Sequence, residues 1–498
     1  MTQVIDLTNS WTNASVQIRE IDRGGAPILN YRTFWVDDNK STIYTFGGEA
    51  SWLTSDVPAP PQPWIFKANG SGGGGWSKGR IDRDTNFPAI LPAGVSYTHG
   101  NGIGYSLGGH LSDKDLPASK WLPVNGLLMY NMSSNTYTNV SAEGYGYDQV
   151  AQQGVAHFVP SLGPSGMLVF LGGRDASWTR FSDLDLKRTF ADITLYDPSS
   201  GKWFHQNATG VIPSWRYRTC AVGAQGQNNT YEIFIYSGCS TSVYGGVYPS
   251  PVEAAATTSL DEIYVLSLPA FVWFKADYPA KSSRQSHTCH VVGNRQLLTV
   301  GGIDGAFQEN DSFKLPNATD PFALGLGIFD LTKMEWSNKY DADALPYESP
   351  QVISEYYRSN PRYPEQWGSS GLQDLILNGT PASNTTTSAP PGNDAGNLGQ
   401  DPASEKSRRS NVAMIAGVAT GALALLVVSG LLIRYLRRRR KARMEIEKVQ
   451  KESEKPGPEL DSSPCEELAG AQRYELPEKS LFEMPAAPRI PQIRIETA

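Results

Sequence analysis

Five short β-patterned runs in this chain end in a glycine pair or its remnant. They are TIYTFGG at Gly47 and Gly48, GIGYSLGG at Gly108 and Gly109, MLVFLGG at Gly172 and Gly173, IFIYSG at Gly238, and LLTVGG at Gly301 and Gly302. The last glycine of each recurs after 61, 64, 65 and 64 residues. Self-similarity at a fixed period restricts the chain to a repeat architecture. The Ile, Tyr, Phe and Val before each pair read as strands. Glycine at the strand end suits backbone that passes close to backbone, or turns with φ > 0.

A second half-repeat follows each pair. An apolar strand ends in a polar residue, and an aromatic comes six positions later. Asn131 leads to Tyr137, Asp197 to Trp203, Ser267 to Trp273 and Asp330 to Trp336, with WIFKANG to Trp76 as a looser first copy. The polar residue and its small neighbours make the turn, and the aromatic opens the next strand. Each unit therefore reads as a four-stranded antiparallel sheet.

Gly-Gly after a β-run, then Tyr-Asp, then Trp, resembles the kelch repeat, the blade of a β-propeller, over roughly residues 3 to 370. Kelch repeats run to about 50 residues, so the longer period here implies enlarged loops. The resemblance implies an all-β, six-bladed kelch-type propeller. Five blades are complete. The sixth is expected to be composite: VIDLTNSW, with Asp6 as turn residue and Trp11 as aromatic, supplies two strands. YESPQVISEYYR, after Tyr340, is the inner-strand candidate. Such closure protects strand edges.

Loops after the glycine pairs run to roughly 14 to 21 residues, a length that is commonly functional. They should emerge on one face, carrying Trp52, Trp121, Trp178, Tyr244, Tyr248 and Phe307. Exposed rings bury much area against a protein or a sugar; each ring could equally fold back on its own blade. The same resemblance covers galactose oxidase and implies a rival, a copper-radical oxidoreductase. That chemistry needs two Tyr and two His ligands. His287 and His290 form the one close pair, but three positions apart on a strand they point to opposite faces. His99, His110, His157 and His205 are scattered. No hydrolase, zincin or phosphate-loop motif occurs. The expectation is a non-catalytic module with no cofactor and no metal.

Residues 411–433 change the class of protein. Val412 to Ile433 is a charge-free run of 22 residues, enough to cross a hydrocarbon core of about 30 Å. Arg434, Arg437, Arg438, Arg439, Arg440, Lys441 and Arg443 follow it, against Lys406, Arg408 and Arg409 before it. Excess cations stay cytoplasmic, so the N-terminal body is expected outside and the tail inside. Sequons occur at Asn13, Asn39, Asn69, Asn131, Asn139, Asn207, Asn228, Asn310, Asn317, Asn378 and Asn384, all before the span. MTQVIDLTNSW has no basic or apolar signal region, which points to a start further upstream; a cytosolic propeller on a C-terminal anchor is the rival. The expected domains are a propeller at 1–378, a Ser/Thr/Pro/Gly-rich stalk at 379–410, the span, and a disordered tail at 434–498. The layout resembles fungal single-pass kelch membrane proteins.

The body has three cysteines. Cys220 in YRTCAV and Cys289 in SHTCHV occupy equivalent places in successive blades, on the strand expected nearest the axis. A bridge between them, a bridge from Cys220 to Cys239, and three buried thiols are the alternatives. The net charge of −7 gives no general attraction to nucleic acid. The partners expected are a protein or carbohydrate ligand, and membrane lipid at the span and its basic flank.

Overall fold

The computed structural model describes residues 1–49, 63–79, 92–111, 122–146, 150–175, 188–240, 260–280, 283–304 and 322–379. All fall within one compact unit, Met1–Ser388. Among them are five sheets, each with four antiparallel strands that follow in chain order, and in one of them Thr209–Gly210 adds a fifth, parallel strand beside the fourth. Blade 1 comprises Thr33–Asp37, Thr42–Phe46, Trp64–Ala68 and Gly74–Lys78. Blade 2 comprises Ser96–Gly100, Ile103–Leu107, Leu127–Asn131 and Thr136–Val140. Blade 3 comprises Val155–Val159, Met167–Leu171, Asp192–Asp197 and Lys202–Asn207. Blade 4 comprises Cys220–Gln225, Tyr231–Tyr236, Ile263–Leu268 and Val272–Lys275. Blade 5 comprises Thr288–Val292, Gln296–Val300, Leu326–Asp330 and Glu335–Ser337. First strands of successive blades lie beside one another and are the inner strands.

The repeat residues explain this architecture. Every glycine pair or its remnant closes a second strand, and in blades 1 to 4 the N–H of its last glycine reaches the next blade. Gly48 donates to the carbonyl of Pro92, Gly109 to Ala151, Gly173 to Arg216 and Gly238 to Arg284. At the other strand end, the Asp or Asn side chain accepts the backbone N–H two residues on: Asn131 from Ser133, Asp197 from Ser199, Asp330 from Thr332. These Asx turns set the aromatic into the fourth strand. Trp203 then pairs with Tyr196, and Trp336 with Phe329.

Apolar faces of neighbouring blades pack on each other, so the core is divided among the blade interfaces. Trp35 of blade 1 is fully buried, stacks on Phe46 and on Tyr130 of blade 2, and donates to the Tyr105 carbonyl at 3.2 Å. Gly104 makes room for it, since a Cβ there would lie 2.3 Å from the indole. A further cluster joins Leu171 and Ile193 of blade 3 to Ile233 and Leu266 of blade 4. Burying each such side chain stabilises by roughly 1.5–3 kcal/mol.

The termini differ from the composite blade expected from the sequence. Thr2–Ile5 pairs with Ile18–Ile21, and Trp11–Thr12 pairs with Lys339–Tyr340. Asp6 does make an Asx turn, accepting the Thr8 N–H at 2.8 Å. Trp11, however, stacks on Tyr340 at 5.2 Å and packs with Leu298, Leu326 and Ile328 of blade 5. The opposite side of this N-terminal pair meets blade 1, where Trp76 donates to Thr2. YESPQVISEYYR is not an inner strand: Gln351–Ser359 is helix α1. Val352, Ile353, Tyr356 and Tyr357 recur at helical spacing, and Pro350 stands before the first turn, where its missing N–H costs nothing. Ile353 is buried against blades 4 and 5.

Helix α2, Ser370–Gly379, buries Leu372 and Ile376 among residues of blades 3 and 4. Between the helices, Arg362 donates to the carbonyl of Asn229, in the turn between the first two strands of blade 4. The C-terminal segment therefore caps the face of the short turns. Among the described residues no helix is long and apolar enough to cross a membrane. The span at 412–433, the stalk and the tail lie outside the described residues.

Candidate functional site

The end of the inner strands beside the glycine pairs is built the same way in each blade. The residue after each Gly pair, or after Gly238, bridges to one that precedes an inner strand: Glu49 to Asn30, His110 to Ala93, Arg174 to Gln152, Cys239 to Tyr217, and Ile303 to Gln285. The next residue is left-handed every time: Tyr31 (φ 53°), Gly94 (φ 64°), Gln153 (φ 52°), Arg218 (φ 55°) and Ser286 (φ 56°). Non-glycine residues rarely adopt this conformation. Here it is held by backbone bonds between blades: Gln153 donates to Gly94, Arg218 to Gln153, and Ser286 to Arg218, at 2.8, 2.8 and 3.1 Å.

This backbone ring presents a polar set of side chains. The Arg218 guanidinium lies 5.5 Å from the Tyr31 ring of blade 1 and donates to Gln285 Oε1 at 3.1 Å. Arg174 lies over the Tyr217 ring at 5.0 Å. His110 and Glu49, both buried, meet at 3.2 Å. Gln153 is 5% exposed, and neither of its side-chain amide atoms has a hydrogen-bond partner among the described residues. The Nε2 of Gln152 has none either. Behind the ring, Arg216 is fully buried and pairs with Glu262 at 3.0 Å. Burial pulls Glu262 up, but bonds from Lys275 and Arg216 outweigh it and hold the carboxyl below its usual range. Burial lowers the Arg32 guanidinium to about 10. Burial pushes the Tyr217 phenol up, with Cys239 adding and Arg218 and Arg174 opposing. Guanidinium and amide groups held on fixed backbone suit ligands rich in carboxylate, carbonyl or hydroxyl groups.

The loop aromatics Trp52, Trp121, Trp178, Tyr244, Tyr248 and Phe307 lie outside the described residues, as do Asn310, Asn317 and Asn384. Asn39, Asn69, Asn139, Asn207, Asn228 and Asn378 are exposed, while Asn13 and Asn131 are half-buried. The Nδ2 of Asn13 donates to the Leu326 carbonyl. Cys220 and Cys289 are joined, with their Cα atoms 5.6 Å apart, and Cys239 is buried outside the bridge. The histidines stay dispersed. His157 meets Tyr231 Oη at 2.9 Å, and burial lowers its imidazole to about 4. His287 is buried and His290 exposed, on opposite faces of their segment. Burial lowers His287 to about 3, with Arg284 adding and the Tyr236 backbone opposing.

Sequence reasoning missed the ring residues Gln152, Gln153, Arg174 and Arg218. The signal was present in the repeat register, as the position just after each glycine pair and the residues just before each inner strand.

No family model matches the chain. A kelch repeat-containing protein of Arthroderma benhamiae is 23% identical over 382 residues, which cover 68% of this chain and 52% of that protein. The chain thus spans about half the length of this relative. The fold is a β-propeller, and its sequence is similar to that of a kelch repeat-containing protein.

Proposed function

We propose that this propeller is a protein-interaction module that takes its ligand at the glycine-pair end of the inner strands and on the loops around it. The supporting observation is Gln153: a buried side-chain amide without a hydrogen-bond partner among the described residues, on a left-handed position that recurs in all five blades. The short-turn face is capped on blades 3 and 4 by the C-terminal segment, which favours the glycine-pair end. Kelch propellers commonly serve as interaction scaffolds. The ligand is a surface protein or a glycan. The N-terminal pair acts as a reduced sixth blade, and residues 412–433 anchor the module with its body outside and its tail in the cytosol.

The test is capture of surface proteins and of arrayed glycans by the detergent-solubilised full chain, repeated with Gln153→Ala and Arg218→Ala. Each variant should weaken the captured interaction by about tenfold, as central interface residues do. Capture that both folded variants leave unchanged would remove the ring from the binding surface. In intact cells, protease should digest the body and spare the tail; the reverse pattern overturns the topology.

A further inference from the structure

The wall between blades 4 and 5 holds a second constellation, well separated in chemistry from the polar ring. Cys220 opens the inner strand of blade 4, and Cys289 lies on the inner strand of blade 5. A nitrogen of His287 and both sulfurs all lie within 4.8 Å of one another. This is the single such group of Cys, His and carboxylate ligands among the described residues. The disulfide accounts for the two sulfurs and leaves the imidazole unexplained. His287 is 6% exposed, and neither ring nitrogen has a hydrogen-bond partner of good geometry. The Tyr236 ring packs edge-on against it, with centroids 5.1 Å apart, and fixes its orientation. Two sulfurs and an imidazole nitrogen gathered at one buried point form the ligand set of a thiolate–imidazole metal site.

We propose that Cys220, Cys289 and His287, once the bridge is reduced, bind a thiophilic divalent cation of the zinc type. A dithiol reductant supplies two electrons and two protons, becoming a disulfide itself, and leaves two thiols on the protein. Cation binding then releases both protons and forms two metal–thiolate bonds and one metal–imidazole bond. Zn–S bonds of about 2.3 Å require the sulfurs to part to roughly 3.8 Å, a local movement for inner strands whose Cα atoms are 5.6 Å apart. Two thiolates neutralise the cation. Arg284, the cationic group that acts on His287, is committed to the Gly301 carbonyl and to the Phe322 ring. Three protein ligands leave a fourth position for water, as in open zinc sites. The disulfide and the metal-bound state are mutually exclusive, so redox state decides which one ties the two blades.

The experiment titrates the full chain with Zn(II) against a chromogenic chelator, before and after reduction and anaerobic removal of the reductant. Co(II) is used in parallel for its thiolate charge-transfer band. The expected result is one cation per reduced chain, no uptake by the oxidised chain, and a cobalt–thiolate band. Cys220→Ser should abolish uptake and Cys239→Ser should leave it unchanged. His287→Ala keeps the bridge for folding, and after reduction it should bind at least about tenfold more weakly, since loss of even an outer-shell partner has that effect. Equal uptake before and after reduction, no thiolate band, or full affinity in His287→Ala would each overturn the proposal.

Discussion

A Cβ built on Gly108 would lie 2.4 Å from the backbone N and O of Ala151, at a φ of +70°. The equivalent Gly301 has a φ of +65° and, among the described residues, no atom within 4 Å of its Cβ position. The two positions share a backbone strain but differ in their neighbours. Gly108→Ala should therefore cost about 2–5 kcal/mol, from the left-handed conformation plus the forced separation of blades 2 and 3. Gly301→Ala should cost only the conformational part, about 1–2 kcal/mol. Urea melts of the two variants give the comparison; equal losses would mean that the inter-blade contact adds nothing. The glycines were legible in the sequence because a close approach demands one residue type at one period. Gln153 was not, because its left-handed φ is imposed by the neighbouring blades and its amide is ordinary in sequence.

His205, on the fourth strand of blade 3, shows how one element is tied to the next at the rim. Its Nε2 donates to the Gly144 carbonyl of the segment after blade 2, at 2.9 Å, and its Nδ1 lies 3.3 Å from Asp192. Both ring nitrogens can donate only in the imidazolium. The Asp192 bond accordingly raises His205, burial opposes it, and the Gly144 carbonyl adds to it. A raised folded pKa gives stability that is fully present below the unfolded value of about 6.5 and is lost as pH rises through the folded value. An NMR titration should place the His205 midpoint above 6.5, and Asp192→Asn should bring it down; a wild-type midpoint at or below 6.5 contradicts the geometry. At this scale the strands were legible wherever the repeat ran, since a glycine pair, an Asx turn and an aromatic mark both ends of a sheet. Helix α1 was not. With no glycine pair to fix the period, a search for the missing inner strand took Val352, Ile353, Tyr356 and Tyr357 as extended, although their spacing of three to four is helical.

For the molecule as a whole, the open question of a propeller is how its first and last blades are held. Gly48, Gly109, Gly173 and Gly238 each lend an N–H to a neighbouring blade, so blades 1 to 5 are linked in sequence. Between blade 5 and blade 1 the link is the N-terminal segment. Trp11 and Val16 bury Leu298, Leu326 and Ile328 on one side, and Thr2 receives the Trp76 indole on the other. Tyr340 Oη donates to the Leu7 carbonyl at 2.9 Å, and Ser10 bonds to Asp341 and Ala342, so the segment is fastened to the end of blade 5. That contribution of the first residues was legible from Val4 to Trp11 as a half-repeat without its first half; the pairing of Trp11 with Tyr340 was not, because it joins residues more than 300 positions apart. Deleting residues 1–20 removes Trp11 with its stack on Tyr340 and leaves the apolar edge of blade 5 uncovered. Loss of one buried Trp alone costs about 3–5 kcal/mol, and the uncovered Leu and Ile add to it, whereas trimming an undocked terminus costs almost nothing. The truncated chain should unfold at a clearly lower urea midpoint than the full chain. If the two midpoints coincide, blades 1 and 5 are held by something other than these strands.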